Sequence, residues 1–318
     1  MNSIKVSSVN GSIPKKRESK FRVYMRNNYP LYLFLILPTA YFLIFRYVPM
    51  YGILIAFKDF NLFDGIWKSP WIGLDAFKEI FSMKEFHRAL RNTFMLNFLD
   101  LLTGFPTPII LAIILSELKN ARFKKISQTI LYLPYFLSWV IIGGISLQLF
   151  SPQSGLINLL LGKLGLDPVP FLTNKWAWLG TYNFLGIWQS AGWNTIIFLA
   201  AIAGINVELY EAATVDGAGR LRKIWHITLP GIRSTIVTLL ILNLGRIVAI
   251  GFDRPYVIGN TLVREFSDVI STYVYRVGLQ SFRFTIATAV GLFQSVVGMV
   301  FLLVTNFLAK KIGEDGIF

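Results

Sequence analysis

Ionisable and amide side chains inside apolar runs are where this chain could do chemistry, because a charge in a bilayer core needs a partner or a function. Asp100 lies six residues from one end of the apolar run 94–116, and Arg246 lies six residues from the end of another, 232–252. At 1.5 Å rise per residue both sit about 9 Å below the same membrane surface. That shared depth permits an ion pair between two helices. It equally permits Arg246 to face a substrate carboxylate through a charge-assisted hydrogen bond. In the run 179–204, Tyr182, Gly186, Gln189 and Trp193 fall on one helical face, with Asn183, Ser190 and Asn194 beside them. Rings that stack on sugar CH groups and amides that bond hydroxyls are what a saccharide path requires. Tyr and Trp near the end of a span also serve as interfacial belt residues, so both readings stand. Asn243 and Gln294 are of the same kind.

Other chemistries find no residues. The chain has no Cys, which excludes disulfides and thiolate metal sites, and its two His, His87 and His226, are far apart in sequence. Gly155–Leu164 ends in Gly-Lys-Leu and superficially resembles a phosphate-binding loop. Six residues separate its glycines instead of four, and Leu164 stands where a magnesium-binding Ser or Thr would be. No nucleophile, base and orienting group come together in the sequence. The expectation is a chain with no catalytic residues, no metal and no cofactor of its own.

The elements that must position these residues follow from composition. Of 318 residues, 54% are hydrophobic and 15% charged, and mean hydropathy is +0.56. This is the balance of an all-α integral membrane protein. Six apolar segments are each long enough to span a core about 30 Å thick: 31–57, 94–116, 127–149, 179–204, 232–252 and 284–309. A barrel is excluded, because these runs are apolar all round instead of alternating. The net charge of +14 fits basic inner loops and contact with lipid head groups instead of nucleic acid. A basic tail at 1–30 and Lys119, Arg122, Lys124 and Lys125 in a short loop place both termini, including the tail 310–318, on the cytoplasmic side of the membrane.

One polar stretch then stands out, in the loop 205–231 between the fourth and fifth spans. Glu211-Ala212-Ala213 favour a helix, Gly217 and Gly219 break it, and an amphipathic piece carrying Leu221, Ile224, Trp225 and Ile227 runs to Pro230. The pattern Glu-Ala-Ala, three residues, Gly, nine residues, Ile-x-Leu-Pro resembles the cytoplasmic signature loop of permease subunits in binding-protein-dependent ABC importers. The resemblance extends to Phe45-Arg46-Tyr47-Val48-Pro49-Met50-Tyr51-Gly52, to Ile55–Phe60 and to Tyr132–Trp139, which are similar to the branch importing complex oligosaccharides such as those of alginate and pectin.

The resemblance implies a type I ABC importer permease fold of six transmembrane helices with a cytoplasmic coupling-helix loop. It implies that Glu211, Ala212, Ala213, Asp216, Gly217 and Pro230 contact a partner ATPase, and that the chain forms half of a path for an oligosaccharide. The implied partners are a second, related permease, two ATPase subunits that bind ATP and magnesium, and an extracellular substrate-binding protein. The rival from another class is a secondary transporter driven by an ion gradient. That reading predicts inverted repeats and discontinuous spans, neither of which the sequence displays, and it leaves the 211–230 stretch without a role.

Overall fold

The computed structural model describes residues 20–311 and 313. They are nearly all helical, with one isolated strand-like bridge between Lys58 and Trp71. The chain divides into two compact units, residues 1–52 and 53–318. The first holds α1 (Lys20–Phe42) and a π-helical turn, Leu43–Tyr47. The second contains, among others, α2 (Asp75–Ser82), α3 (Lys84–Leu99), α4 (Pro106–Ser116), α5 (Ala121–Tyr132), α6 (Trp139–Phe150), α7 (Lys175–Ala203), α8 (Val207–Val215), α9 (Arg220–Lys223), α10 (Arg233–Gly245), α11 (Asp253–Ile258), α12 (Ile270–Tyr275) and α13 (Phe284–Lys311).

Among the described residues, four helical runs are long and apolar enough to cross a membrane: Asn28–Phe57, Lys84–Ser116, Lys175–Ala203 and Phe284–Lys311. Two further pairs pass only together, Ala121–Phe136 with Trp139–Phe150, bent by 101°, and Arg220–Gly231 with Arg233–Gly245, bent by 60°. Counting each pair as one span gives six. The expectation of an unbroken span is corrected at 127–149 by the 101° bend and at 232–252 by the end of α10 at Gly245, and both breaks have a local cause.

In the third span, Pro134 has no N–H to continue the ladder, and Ser138 accepts a hydrogen bond from Ile141 N at 3.4 Å to start α6 afresh. In the fifth, α10 stops at Gly245 and the chain tightens into turns, with Arg246 N bonded to Asn243 O and Ile247 N to Leu244 O. The carbonyls this break exposes are taken up by amides. Asn97 donates to Ile247 O at 2.6 Å and Gln294 to Val248 O at 2.7 Å. Such capture is required where backbone unwinds at membrane depth. Gln294 thus holds the break. Proline shapes the other spans as well. Three π-helical turns, Leu43–Tyr47, Asp100–Gly104 and Ile224–Thr228, end two residues before Pro49, Pro106 and Pro230. Proline removes a donor and crowds the carbonyl four residues back, and widening the ladder by one residue relieves both.

The core of the second unit lies mainly at the end of the helices that carries the 58–83 and 253–283 segments. One cluster joins Ile80, Phe86, Ile270, Tyr273 and Val290; another joins Leu96, Ile142, Trp178, Tyr182 and Ile258. Toward the opposite end lies a smaller cluster of Ala112, Phe198 and Ile232, with Ile202, Ile205 and Ile236 packed against it. Thr285 stitches the first of these ends together, accepting from Phe60 N and donating to Lys58 O, and Glu79 on α2 is paired with Arg283.

Helices α5 and α7 approach closely at Gly192. A Cβ on Gly192 would stand 1.8 Å from Leu131 O, a backbone atom that cannot rotate away. Gly192→Ala is therefore expected to destabilise the protein by about 1–3 kcal/mol, read as a lower thermal midpoint in detergent. Gly180→Ala on the same helix meets nothing within 4 Å and should leave the midpoint unchanged or slightly raised.

Candidate functional site

A cavity of about 450 Å³ opens between the second, fourth and fifth spans. Its polar lining is Asn97 and Asp100 from the second, Ser190 and Asn194 from the fourth, Asn243 and Arg246 from the fifth, and Arg254 from α11. Apolar side chains such as Phe105, Ile187 and Leu239 fill the remainder of the wall. The mix of apolar wall and a few converging polar groups is that of a small-ligand site.

The Asp100 carboxylate is held by Arg254, not by Arg246. Arg254 Nη1 donates to Oδ2 at 2.7 Å and Nη2 to Oδ1 at 3.1 Å, a two-pronged bond. Nη2 also donates to Tyr182 O at 2.7 Å, and the guanidinium carbon lies 3.7 Å above the Tyr182 ring. The two side chains are only 14% and 31% exposed, so this bond is not of the weak surface kind. Gly186 makes room for it: a Cβ there would stand 2.3 Å from the guanidinium. Asn183 completes the arrangement by donating to Thr103 Oγ1 at 2.8 Å.

This settles the depth argument about Asp100. Arg246 lines the same cavity, and its guanidinium makes no hydrogen bond or ion pair among the described residues. Asn194 and Asn243 share the lining; Asn243 donates back to Leu239 O at 2.8 Å. Tyr182, Gln189 and Trp193 stand elsewhere. Tyr182 is fully buried against Trp178, its hydroxyl without a partner. Trp193 stacks on Tyr135 at 4.7 Å and Gln189 donates to Tyr135 O at 3.4 Å, so both clasp the bend in the third span. Two cavity residues escape the sequence reading, Asn97 and Arg254. Arg254 falls two residues beyond the apolar run 232–252, and the usable signal is Pro255, which favours the first turn of a new helix.

At the opposite end, residues 206–231 form a compact two-helix unit. Asn206 caps α8, accepting from Glu208 N at 3.0 Å. The helix closes on Gly217, whose φ of +73° only glycine adopts without strain. Ala218 N bonds to Ala213 O and Gly217 N to Thr214 O, the paired bonds of a Schellman ending. Lys223 Nζ then donates to Thr214 Oγ1 at 2.6 Å, and the hydroxyls of Tyr210 and Thr228 share a hydrogen bond of 2.9 Å. These ties bind α8 to α9 and the turn after it. Pro230 does not stop the helix: a turn continues to Gly231, and the chain bends at Ile232 into α10. The outward face is apolar and bare. Val215 is 88% exposed, Leu221 73% and Trp225 67%, with Glu211, Asp216, Arg220 and Arg222 exposed around them.

Among the described residues, no three His, Cys, Asp or Glu side chains gather where a metal could sit.

The family model described as "Binding-protein-dependent transport system inner membrane component" matches residues 82–314. Protein LplB of Bacillus subtilis (strain 168) is 44% identical over 316 residues, covering 96% of this chain and 99% of its own. The permease protein YteP of the same organism, named for a polygalacturonan/rhamnogalacturonan transport system, is 46% identical over 305 residues and 95% of each chain. Among solved structures, a chain of a bacterial ABC transporter involved in the import of the acidic polysaccharide alginate superposes with a TM-score of 0.85 at 42% identity. The match covers 92% of this chain and 99% of that one. A chain of a bacterial alginate ABC transporter in complex with an alginate pentasaccharide-bound periplasmic protein gives 0.86 at 40% identity, over 94% and 100%.

The geometry separates the two arginines of the cavity. Asp100→Asn and Arg254→Gln should each lower the thermal midpoint, by about 2–4 °C for every kcal/mol lost. Their double variant should fall no further than the worse single one, because the effects of groups sharing one bond do not add. Arg246→Gln should leave stability within about 0.5 kcal/mol. Additive losses at 100 and 254 would show that the pair contributes nothing as a pair.

Proposed function

The chain belongs to the family of inner-membrane components of binding-protein-dependent transport systems, and we propose that it forms one half of the translocation path for an acidic oligosaccharide. The observation that carries the substrate class is Arg246. Of the two arginines on the cavity, Arg254 has its charge answered by Asp100, whereas Arg246 has no charged partner among the described residues and stands beside Asn194 and Asn243. An unpaired guanidinium is costly at membrane depth unless a ligand meets it. A uronate carboxylate does so bidentately, while the amides take sugar hydroxyls. The similar chains from pectin- and alginate-type systems support the same substrate class.

Energy enters at the other end. Val215, Leu221 and Trp225 form a bare apolar ridge on a unit braced by four side-chain and backbone ties. Such a ridge needs a protein partner, and an ATPase cleft that closes on ATP and magnesium would move it as one piece. Glu211, Ala212, Ala213, Asp216 and Gly217 lie in or at the end of α8 and sit in that contact, with Pro230 at the far end of the unit. The chain itself then binds no nucleotide and catalyses nothing. Its assembly consists of a second permease that completes the path, two such ATPases, and an extracellular binding protein, like the one seen with the alginate transporter, that delivers the sugar. The unit faces the cytoplasm, with both termini on that side. The broken third and fifth spans do not favour an ion-driven transporter, because each break is capped by Asn97, Gln294 or Ser138 and not left open to an ion.

In vesicles containing the assembled importer, Arg246→Gln should cut uptake of trigalacturonate about tenfold or more, the worth of one charged hydrogen bond. Stability and ATP hydrolysis without substrate should be unchanged. Full uptake by that variant would overturn the acidic assignment. Separately, Trp225→Ala should reduce substrate-stimulated ATP hydrolysis at least fivefold with the thermal midpoint nearly unaltered, given the exposure of that ring; undiminished stimulation would take the 206–231 unit out of coupling.

A further inference from the structure

A second cavity, of about 530 Å³, lies wholly within the segment 255–280 and shares no residue with the first. The six-residue helix α11 separates the two. Arg254 lines the first cavity and Tyr256 the second. They are two positions apart, about 200° around a helix. Whatever fixes α11 therefore sets the wall between both cavities, and the Arg254 bonds to Asp100 and Tyr182 O do so.

The second cavity has its own aromatic ledge. The Tyr256 ring is stacked from behind by Phe252 at 4.6 Å and met edge-on by Tyr275 at 5.4 Å, yet Tyr256 is 49% exposed. Two arginines line the space. Arg276 is engaged with the buried Asp268 carboxylate, which Thr272 Oγ1 also meets at 2.9 Å and Arg88 approaches at 3.6 Å. The floor is thus rigid and charge-compensated. Arg264 is different: it is exposed, and its guanidinium has no hydrogen bond or ion pair among the described residues. Asn260 and Gln280 add amide groups to the lining.

One free guanidinium and amides repeat, on the far side of α11, the chemistry found around Arg246, and the braced, exposed Tyr256 ring adds a stacking face to them. We propose that this second cavity is a further saccharide site, in which a uronate-bearing sugar unit stacks on Tyr256 and places its carboxylate on Arg264. An oligosaccharide would thus be held on both sides of α11 before the whole chain passes. The proposal rests on the acidic-oligosaccharide reading above. A polypeptide loop of the binding protein is the competing occupant. The sugar is favoured because Tyr256 is supported behind its ring, as stacking on a flat ring face requires, and because the free charge is a single fork suited to one carboxylate.

The test is direct binding of trigalacturonate to the assembled importer in nanodiscs without binding protein, followed by calorimetry. The wild type should show two sites on this chain's half of the importer. Arg264→Gln and Tyr256→Ala should each weaken one of them about tenfold or more, Tyr256→Phe should retain it, and the site sensitive to Arg246→Gln should persist throughout. If Arg264→Gln and Tyr256→Ala leave both sites intact, the proposal is wrong. It is also wrong if they weaken only the affinity for ligand-free binding protein, which would put a protein loop in the cavity. Failure of the underlying substrate class is distinguishable, since trigalacturonate would then bind nowhere and Arg246→Gln would have no effect either.

Discussion

A guanidinium placed among apolar helices needs its charge answered by the protein or by a ligand, and in this chain Arg254 is answered by Asp100. Much of the second unit depends on that one bond. It joins the π-helical turn of the second span to α11, and through Tyr182 O it joins both to the fourth span. The surroundings are built for it. Gly186 leaves the space the guanidinium occupies, and the Tyr182 ring lies flat beneath it. With Asp100 thereby engaged, no carboxylate among the described residues neutralises Arg246, and the cavity keeps one positive charge available to a ligand.

The second constraint is backbone satisfaction. A helical ladder cannot simply be interrupted in hydrocarbon, since each orphaned carbonyl or N–H costs several kcal/mol. The chain is nevertheless broken in the third and fifth spans, and proline widens the turns before residues 49, 106 and 230. Each break is closed by a side chain at a specific place: Ser138 at the third, Asn97 and Gln294 at the fifth. Polar residues in spans therefore divide into those that repair backbone and those left facing the cavity. Asn97 does both.

Legibility in the sequence follows the range of the interaction. Gly217 is readable because its role is local: a helix ending in glycine needs only the residues either side, and the Schellman bonds form as that pattern implies. Helix content and the number of apolar segments are readable for the same reason. The partner of Asp100 is not, because depth in a span was measured from an apolar run that ends at 252, while α10 ends at Gly245 and the chain re-enters with α11. Gly245 itself lies against α13, where a Cβ would stand 2.6 Å from Leu302, a contact fifty-seven positions away. Gln189 and Trp193 share a helical face as their spacing implies, but that face is covered by Tyr135 from the bent third span. One-dimensional periodicity reports which residues share a face; it does not report what packs on it.

The role of the cavity turns on which of its arginines meets the substrate. The most direct measurement is a structure of the assembled importer halted with a uronic oligosaccharide between its halves. It should place a carboxylate on Arg246, with Arg254 still bonded to Asp100 and α11 in place. A carboxylate on Arg254 with Asp100 displaced, or a sugar chain that passes without touching Arg246, would contradict it.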